Sequence, residues 1–509
     1  MVNIQDLPAE LLNLILSFLT YPTLPKEDRR AKARDGSVNE VERSNMFMDG
    51  DENLLDICRV SSKFRDLAQP LLYHHFDDVG LAGDLSKTIL FARTLYRRPD
   101  LGRHVQDIYF LPIPIGLGGS MGLTAEDSEF FKGVIQDLRL GDQETTWISA
   151  MEKSDLSVFA ALLVNRTPNL RELTLPGGQL FMKPLTHLFS RNPSLLPNLE
   201  SVWLESDGEM PGYNIGSYEE FLTLPNLKFP TFEYGDLVDS SFPSTWAPGT
   251  LATEDVALHH CYVDAGALKK FMRACKKLKS FIYQNFSLDP RDQRGPSLRA
   301  VPEFNAAQAQ EAALLHKDSL EHFHVEFARG PWEIENVEEY NSSCVKVGSF
   351  RDFSVLEAIL LPHAVLPPHP QFPRSLEMLH ITDCNSSIRE MAENIATDCK
   401  NGLYPNLTDF KVIAIDITAP IKLPGQHIPP GKTPEQCFLD IKELFKGTDV
   451  DFTIVPYKMP DFDEYDEDSD FGYEEDFDED EYPPLGGDPR LFELIMERAL
   501  QDPDFAHLR

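Results

Sequence analysis

Three clusters of side chains in this sequence have residue types and spacing that chemistry can use. Gly118-Gly119-Ser120-Met121-Gly122 fits G-x-S-x-G, the elbow in which a tight strand-to-helix turn exposes a nucleophilic serine. Its surroundings argue against that use. Pro112 and Pro114 interrupt the strand an elbow needs, the next helix signal starts only at Thr124, and nothing nearby supplies the rest of a hydrolase sheet. A glycine loop between modules is the expected role, with a serine hydrolase built on Ser120 as a remote alternative. The same loop puts Met121 where the third glycine of G-x-G-x-x-G belongs, and the chain has no G-x-x-x-x-G-K-[ST] phosphate loop. His322 and His324 share one face of a strand, with His380 on another, a spacing metal chelation can use. No carboxylate or cysteine completes the set, so surface histidines of a binding face are expected. Asp466, Asp468 and Asp470 suit positions 1, 3 and 5 of a calcium loop, but Phe471 stands where glycine is required and Phe477 where glutamate is. The sequence therefore predicts no catalytic, cofactor or metal site.

The elements that carry these residues belong to a chain of 509 residues, long enough for several cores or one extended array, and 42% hydrophobic. Its net charge of -35 opposes nucleic-acid binding, because phosphates would be repelled. Residues 461–481 hold fourteen of the carboxylates and no basic side chain, which leaves -21 on the remainder. A basic cluster, Lys26, Arg29, Arg30, Lys32 and Arg34, reads as a solvated loop face, with a weak nuclear-targeting signal as the alternative. No apolar run reaches eighteen residues, so no membrane span is expected. The apolar stretch 11–19 has the length of a signal-peptide core, but Asp6 and Glu10 flank it and no small-residue cleavage site follows, so a cytoplasmic or nuclear location is expected. Seven scattered cysteines without a CxxC argue against a disulfide framework or a zinc ribbon.

The first helix signal is the most unusual one. Across residues 9–20, Glu10, Asn13, Ser17 and Thr20 form one narrow polar stripe and every other position is apolar. A surface helix normally has a single apolar face, so this one is expected to be buried on nearly all sides, by its own core and by a partner. Asp6 and Pro8 suit its start. A second apolar periodicity runs through Leu54, Ile57, Val60, Phe64, Leu67 and Leu71 and is expected to stop at Pro70.

Together the two segments resemble an F-box. The likeness lies in Leu7-Pro8-x-Glu10-Leu11 with Ile15, Leu16 and Leu19, then in Leu55-x-x-Cys58-x-Val60-Ser61-x-x-Phe64-Arg65-x-Leu67-Ala68, closed by Pro70-Leu71-Leu72-Tyr73. The long connector from Tyr21 to Asn53 departs from the family's short loop. The resemblance implies a Skp-type adaptor as partner and, through it, a cullin. The adaptor-binding residues it implies are Leu7, Pro8, Leu11, Leu12, Ile15, Leu16, Leu19, Leu55, Val60 and Phe64.

From Thr167 onward an apolar-x-x-apolar-x-apolar pattern recurs. Its copies begin at Leu170, Leu199, Leu278, Leu320, Leu356, Leu376 and Leu407, with imperfect segments at Leu227, where Pro230 takes an apolar position, and at Val256 to Leu258. Val105-x-x-Ile108-x-Phe110 is a possible earlier copy. This is the core of a leucine-rich repeat, in which one short strand per copy stacks into a parallel sheet. Residues 157–164 and 265–272 read as connecting helices. An F-box followed by irregular repeats resembles a common class of fungal F-box proteins. The register turns Trp203, Ile282, His322, His324, Leu360, Met378 and His380 outward, and these are the candidate target-binding residues.

The expected fold class is α/β: a small N-terminal all-α F-box, a leucine-rich-repeat-like solenoid with a parallel sheet, and an acidic disordered C-terminal tail. The expected domains are 1–76 (F-box with a long internal loop), 77–160 (connecting segment), 161–458 (solenoid), 459–487 (acidic disordered segment) and 488–509 (C-terminal helix). The function implied is that of the substrate-recognition subunit of a Skp-cullin-F-box ubiquitin ligase, itself non-catalytic, with an unknown protein target. The alternative is an F-box scaffold or transport factor acting outside the ligase.

Overall fold

One backbone join is repeated at strand after strand. The computed structural model describes residues 7–17, 53–78, 85–110, 123–192, 194–205, 212–285, 304–327, 343–384, 388–414 and 441–456. Ahead of several strands the chain makes a turn, as in Leu170 N–H to Thr167 C=O and Leu199 N–H to Leu196 C=O, and then two successive N–H groups donate to one carbonyl of the preceding copy. Arg171 and Glu172 donate to Gln106, Glu200 and Ser201 to Arg171, and Lys228 and Phe229 to Glu200. The Pro-Asn-Leu turns add a side-chain ladder: Asn169 Nδ2 donates to the Arg103 carbonyl (2.8 Å), Asn198 to Pro168 (3.3 Å) and Asn226 to Pro197 (2.6 Å). Each bond satisfies a backbone group that the turn would otherwise strand.

The chain divides into two compact units, Met1–Asn285 with Asp292–Leu320, and Phe286–Arg291 with Glu321–Arg509. In the first unit seven strands pair in parallel: β1 (His75–Asp77), β2 (Asp107–Tyr109), β3 (Glu172–Pro176), β4 (Ser201–Glu205), β6 (Phe229–Glu233), β8 (Asp255–His259) and β10 (Ser280–Asn285). A smaller parallel sheet joins β5 (Tyr213–Asn214), β7 (Gly235–Leu237) and β9 (Tyr262–Val263). In the second unit the parallel order is β11 (His322–Phe327), β12 (Ala358–Pro362), β13 (Met378–Cys384), β14 (Asp409–Ala414) and β15 (Asp451–Pro456). The protein is thus α/β with extensive parallel sheet, and among the described residues no helix is long and apolar enough to cross a membrane.

All seven pattern copies fall on strands, and their apolar positions, such as Leu170, Leu173 and Leu175, are buried. The sheet also starts earlier than residue 161: β1 and β2 precede it. Pro230 sits in a central strand because of where its nitrogen points. Phe229 N–H donates toward β4, so alternation turns the Pro230 nitrogen toward β8, and pairing on that side begins only at Thr231↔Ala257. Helices Leu156–Val164 and Ala265–Ala274 occupy the two expected connections.

At the N-terminus α1 (Ala9–Ser17), α2 (residues 53–60) and α3 (Ser62–Leu72) form a helical module. Its core joins Leu16, Leu54, Cys58 and Ala68, with Ile57, Leu67, Leu71 and Leu72 packed against them. The single periodicity expected from Leu54 to Pro70 is in fact two helices. Ser61 is extended (φ -160°, ψ 166°) and its hydroxyl accepts from Phe64 N–H, an N-cap that starts α3. The helix then continues through Pro70 to Leu72, because a proline in the last turn forfeits only one intrahelical bond.

Candidate interaction surfaces

The helical module separates its apolar residues into an interior and an exterior set. Leu12 and Leu16 are 1% and 2% exposed, whereas Leu11, Leu14 and Ile15 are 48%, 55% and 42% exposed. The three exposed side chains stand at i, i+3 and i+4, one face of α1. α2 adds Leu55 at 42% and Val60 at 63%. Among the described residues nine large apolar side chains are exposed, and five of them lie on these two short helices. Scattered exposed leucines are ordinary; a concentration of this kind is what candidate interaction surfaces show.

Three of the expected adaptor residues lie in the module's interior. Leu12, Leu16 and Phe64 are buried inside the module, where they hold the helices together and present no side chain to a partner. They were indistinguishable from their neighbours in the sequence because α1 is apolar almost all round. Pro8 is exposed, and Leu7 is half-buried with its carbonyl accepting from Lys63 Nζ at 3.1 Å, which ties the start of α1 to α3. Leu14, which the sequence reading does not single out, is exposed on the same face, three residues from Leu11. Leu19, the connector, the Ser120 loop, the acidic stretch and the C-terminal helix lie outside the described residues.

The sheets offer a second kind of surface. On the first unit Trp203 and Ile282 point away from the core and are half-buried, as the register requires. On the second, His322, Leu360, Met378 and His380 do the same, with Leu360 opposite His380 across the ladder. His324, which the register turns outward, is buried, and its Nε2 lies 2.9 Å from Glu326 Oε2, a hydrogen bond that occupies the ring. His380 Nε2 is likewise 2.9 Å from Asp409 Oδ2 and holds the Asp409 carboxyl below the usual range.

A partly buried ionic cluster ties the first two strands to the helix that follows β1. His75 Nδ1 is 2.9 Å from Asp107 Oδ2 and its Nε2 3.6 Å from Asp77 Oδ2, while Lys87 pairs with Asp77. Burial alone would depress the imidazole; hydrogen bonds and charge from Asp107 and Asp77 overcome it and push His75 up to about 9. The Asp77 carboxyl, despite burial, is held below its ordinary value by His75 and Lys87. His75 and Asp77 are thus charged at neutral pH and are joined with Asp107 and Lys87 in one cluster, which reads as a structural clamp between β1 and β2.

Neither protein-family models nor curated proteins give a match to this chain.

Proposed function

We propose that this chain is the substrate-recognition subunit of a Skp-cullin-F-box ubiquitin ligase: the N-terminal helices bind a Skp-type adaptor, and the parallel-sheet units, read as irregular leucine-rich repeats, hold the protein target. The observation that carries the proposal is the exposed apolar face Leu11, Leu14 and Ile15 with Leu55 and Val60 beside it, on a module whose own core is already filled. A stable module has no internal use for five more exposed aliphatic side chains. The family's mode of adaptor binding, implied by the sequence resemblance, supplies one. The strand motif supports the second half, since all its copies lie on parallel strands with one face buried and the other outward. The receptor performs no bond chemistry; it contributes proximity between target and activated ubiquitin.

The test is co-purification of a Skp-type adaptor with the Leu11→Asp, Ile15→Asp double variant. Covering one such side chain stabilises a complex by roughly 1.5 to 3 kcal/mol, so the pair should weaken binding by more than about a hundredfold. Both side chains are exposed in the free chain, so folding should be unaffected. Undiminished adaptor binding by the folded double variant would remove the proposal.

A further inference from the structure

Residues 265–279 hold six basic side chains and no acidic one, in a chain whose net charge is -35. They form helix Ala265–Ala274 and the turn that leads into β10. Half of them are neutralised: Lys269 pairs with Glu311 (2.7 Å), Lys270 with Asp239 (2.6 Å), and Lys279 with Glu254 (2.8 Å), a carboxylate it shares with Lys228 (2.9 Å). Arg273, Lys276 and Lys277 are exposed and have no carboxylate partner among the described residues. Their backbone is held on both sides. Gly249 N–H donates to the Arg273 carbonyl (3.1 Å), Lys276 N–H to the Leu251 carbonyl (2.9 Å), and Leu278 N–H to His316 Nδ1 (3.3 Å). His316 Nε2 in turn lies 2.7 Å from the Met272 carbonyl oxygen, so the turn Leu314–His316 packs on this segment and places Leu315, 46% exposed, at its margin.

We infer that this corner of the first unit docks an acidic segment of a partner protein, an aspartate- and glutamate-rich stretch with an apolar side chain against Leu315. Charge complementarity singles out the class: three cations without counter-charges sit within five consecutive residues of a molecule that is otherwise strongly anionic. A long polyanion or an anionic surface is turned away by the remaining negative charge. A short acidic segment lies within about 10 Å of the three cations, where their field dominates at 0.1 M salt. Leu315 adds a contact for which a phosphate chain has no use. The helix dipole accounts for a cation such as Arg273 in the last turn, but Lys276 and Lys277 lie beyond the helix. This surface shares no residue with the adaptor face, and its test requires no adaptor.

The full-length chain is titrated with fluorescein-labelled probes and read by anisotropy. The probes are peptides of about twelve residues, one of net charge about -6 carrying a phenylalanine, one of the same charge without it and one neutral, together with an oligouridylate of about twelve nucleotides. The acidic phenylalanine peptide should bind at least about tenfold tighter than the neutral one at about 50 mM salt, and should lose most of that advantage by about 300 mM, because exposed charge pairs are screened. Arg273→Gln with Lys276→Gln and Lys277→Gln should bring it to within about twofold of the neutral peptide. The same change of charge at Arg65, Arg103 and Arg171, also exposed, should leave binding nearly unchanged. Leu315→Ser should cost about threefold or more for the phenylalanine peptide and little for the acidic peptide without it. Unchanged circular-dichroism melts identify variants that are folded. Equal binding of acidic and neutral peptides, or acidic binding indifferent to the Arg273, Lys276 and Lys277 substitutions, overturns the inference. So does oligouridylate binding that is tighter than that of either acidic peptide and lost in the same variant, since the corner would then be a phosphate site.

Discussion

The division of α1 into interior and exterior leucines can be tested by two substitutions at adjacent positions. Leu16 is 2% exposed and packs with Leu54, Cys58 and Ala68, so Leu16→Ala removes buried methyl groups and leaves a void in a core of few residues. Such truncations cost roughly 2 to 5 kcal/mol. Ile15 is 42% exposed, so Ile15→Ala loses little on folding, well under about 1 kcal/mol, and improves helix propensity. Because α1 is only nine residues long, the damage from Leu16→Ala should appear first as local opening of the module and not as global unfolding. Amide hydrogen exchange of residues 9–17 is therefore the suitable assay. Protection should fall by at least about thirtyfold in Leu16→Ala, which corresponds to 2 kcal/mol, and stay within a few-fold of the parent in Ile15→Ala. Adaptor affinity should show the converse for Ile15→Ala: weakened with no loss of protection. Equal loss of protection in the two variants would mean that α1 is rotated from the placement described, and the exposed face would have to be redrawn.

Two further outcomes follow from buried groups. His75 is raised above its ordinary value of 6.5 to about 9, so its contribution to stability is complete below pH 6.5 and is lost as pH climbs through about 9. The loss is on the order of 3 kcal/mol at most, and urea denaturation at pH 6.5 and 9.5 should show it in the parent but not in His75→Gln; a parent curve as flat as the variant's would sink the clamp. Gly102 and Gly133 should respond oppositely to alanine. A Cβ on Gly102 would lie 2.2 Å from the Arg166 carbonyl oxygen, whereas one on Gly133 meets nothing within 4 Å. Gly102→Ala should destabilise by about 1 to 3 kcal/mol, and Gly133→Ala, inside helix Ala125–Leu138, should stabilise by roughly 0.5 to 1 kcal/mol. Paired thermal melts decide both.

How far the sequence could be read depended on whether each element carried redundant signals. The strands of the seven pattern copies were legible because three apolar positions in fixed register leave one solution, a strand with one face buried. β1 has only Phe76 facing the core in three residues and does not carry enough alternation to stand out, whereas Val105-x-x-Ile108-x-Phe110 marks its partner β2 as a possible copy. Pro230 obscured β6 because the direction of a missing N–H depends on which neighbour strand the residue faces, and that is a tertiary fact. The break at Ser61 had a local signal, a serine three residues before Phe64, but the apolar rhythm continued across it and hid the cap. For the candidate surfaces the limit was the same. α1 is apolar on so many sides that sequence alone could not choose between Leu11 and Leu12, and only the position of α3 resolves which side is inside. His324 shows the complementary failure: register turned it outward, and pairing with Glu326 in a buried setting took it away from the surface.

The two surfaces also differ in kind, and that bears on how a receptor of this type would behave in salt. The module's face is built from aliphatic side chains, whose burial is insensitive to moderate ionic strength, while the outward positions of the first unit's sheet mix Trp203 and Ile282 with polar and acidic residues, whose interactions are screened over about 10 Å at 0.1 M salt. On the reading proposed above, the adaptor contact would be constitutive and salt-resistant and the target contact exchangeable. Had the chemistry been reversed, with carboxylates on α1 and aliphatics over the sheet, the same fold would have argued for a salt-labile adaptor and a permanently covered sheet. The distribution of side chains over the two surfaces, more than the α/β architecture that carries them, is what supports assigning the adaptor to the helices and the target to the sheet.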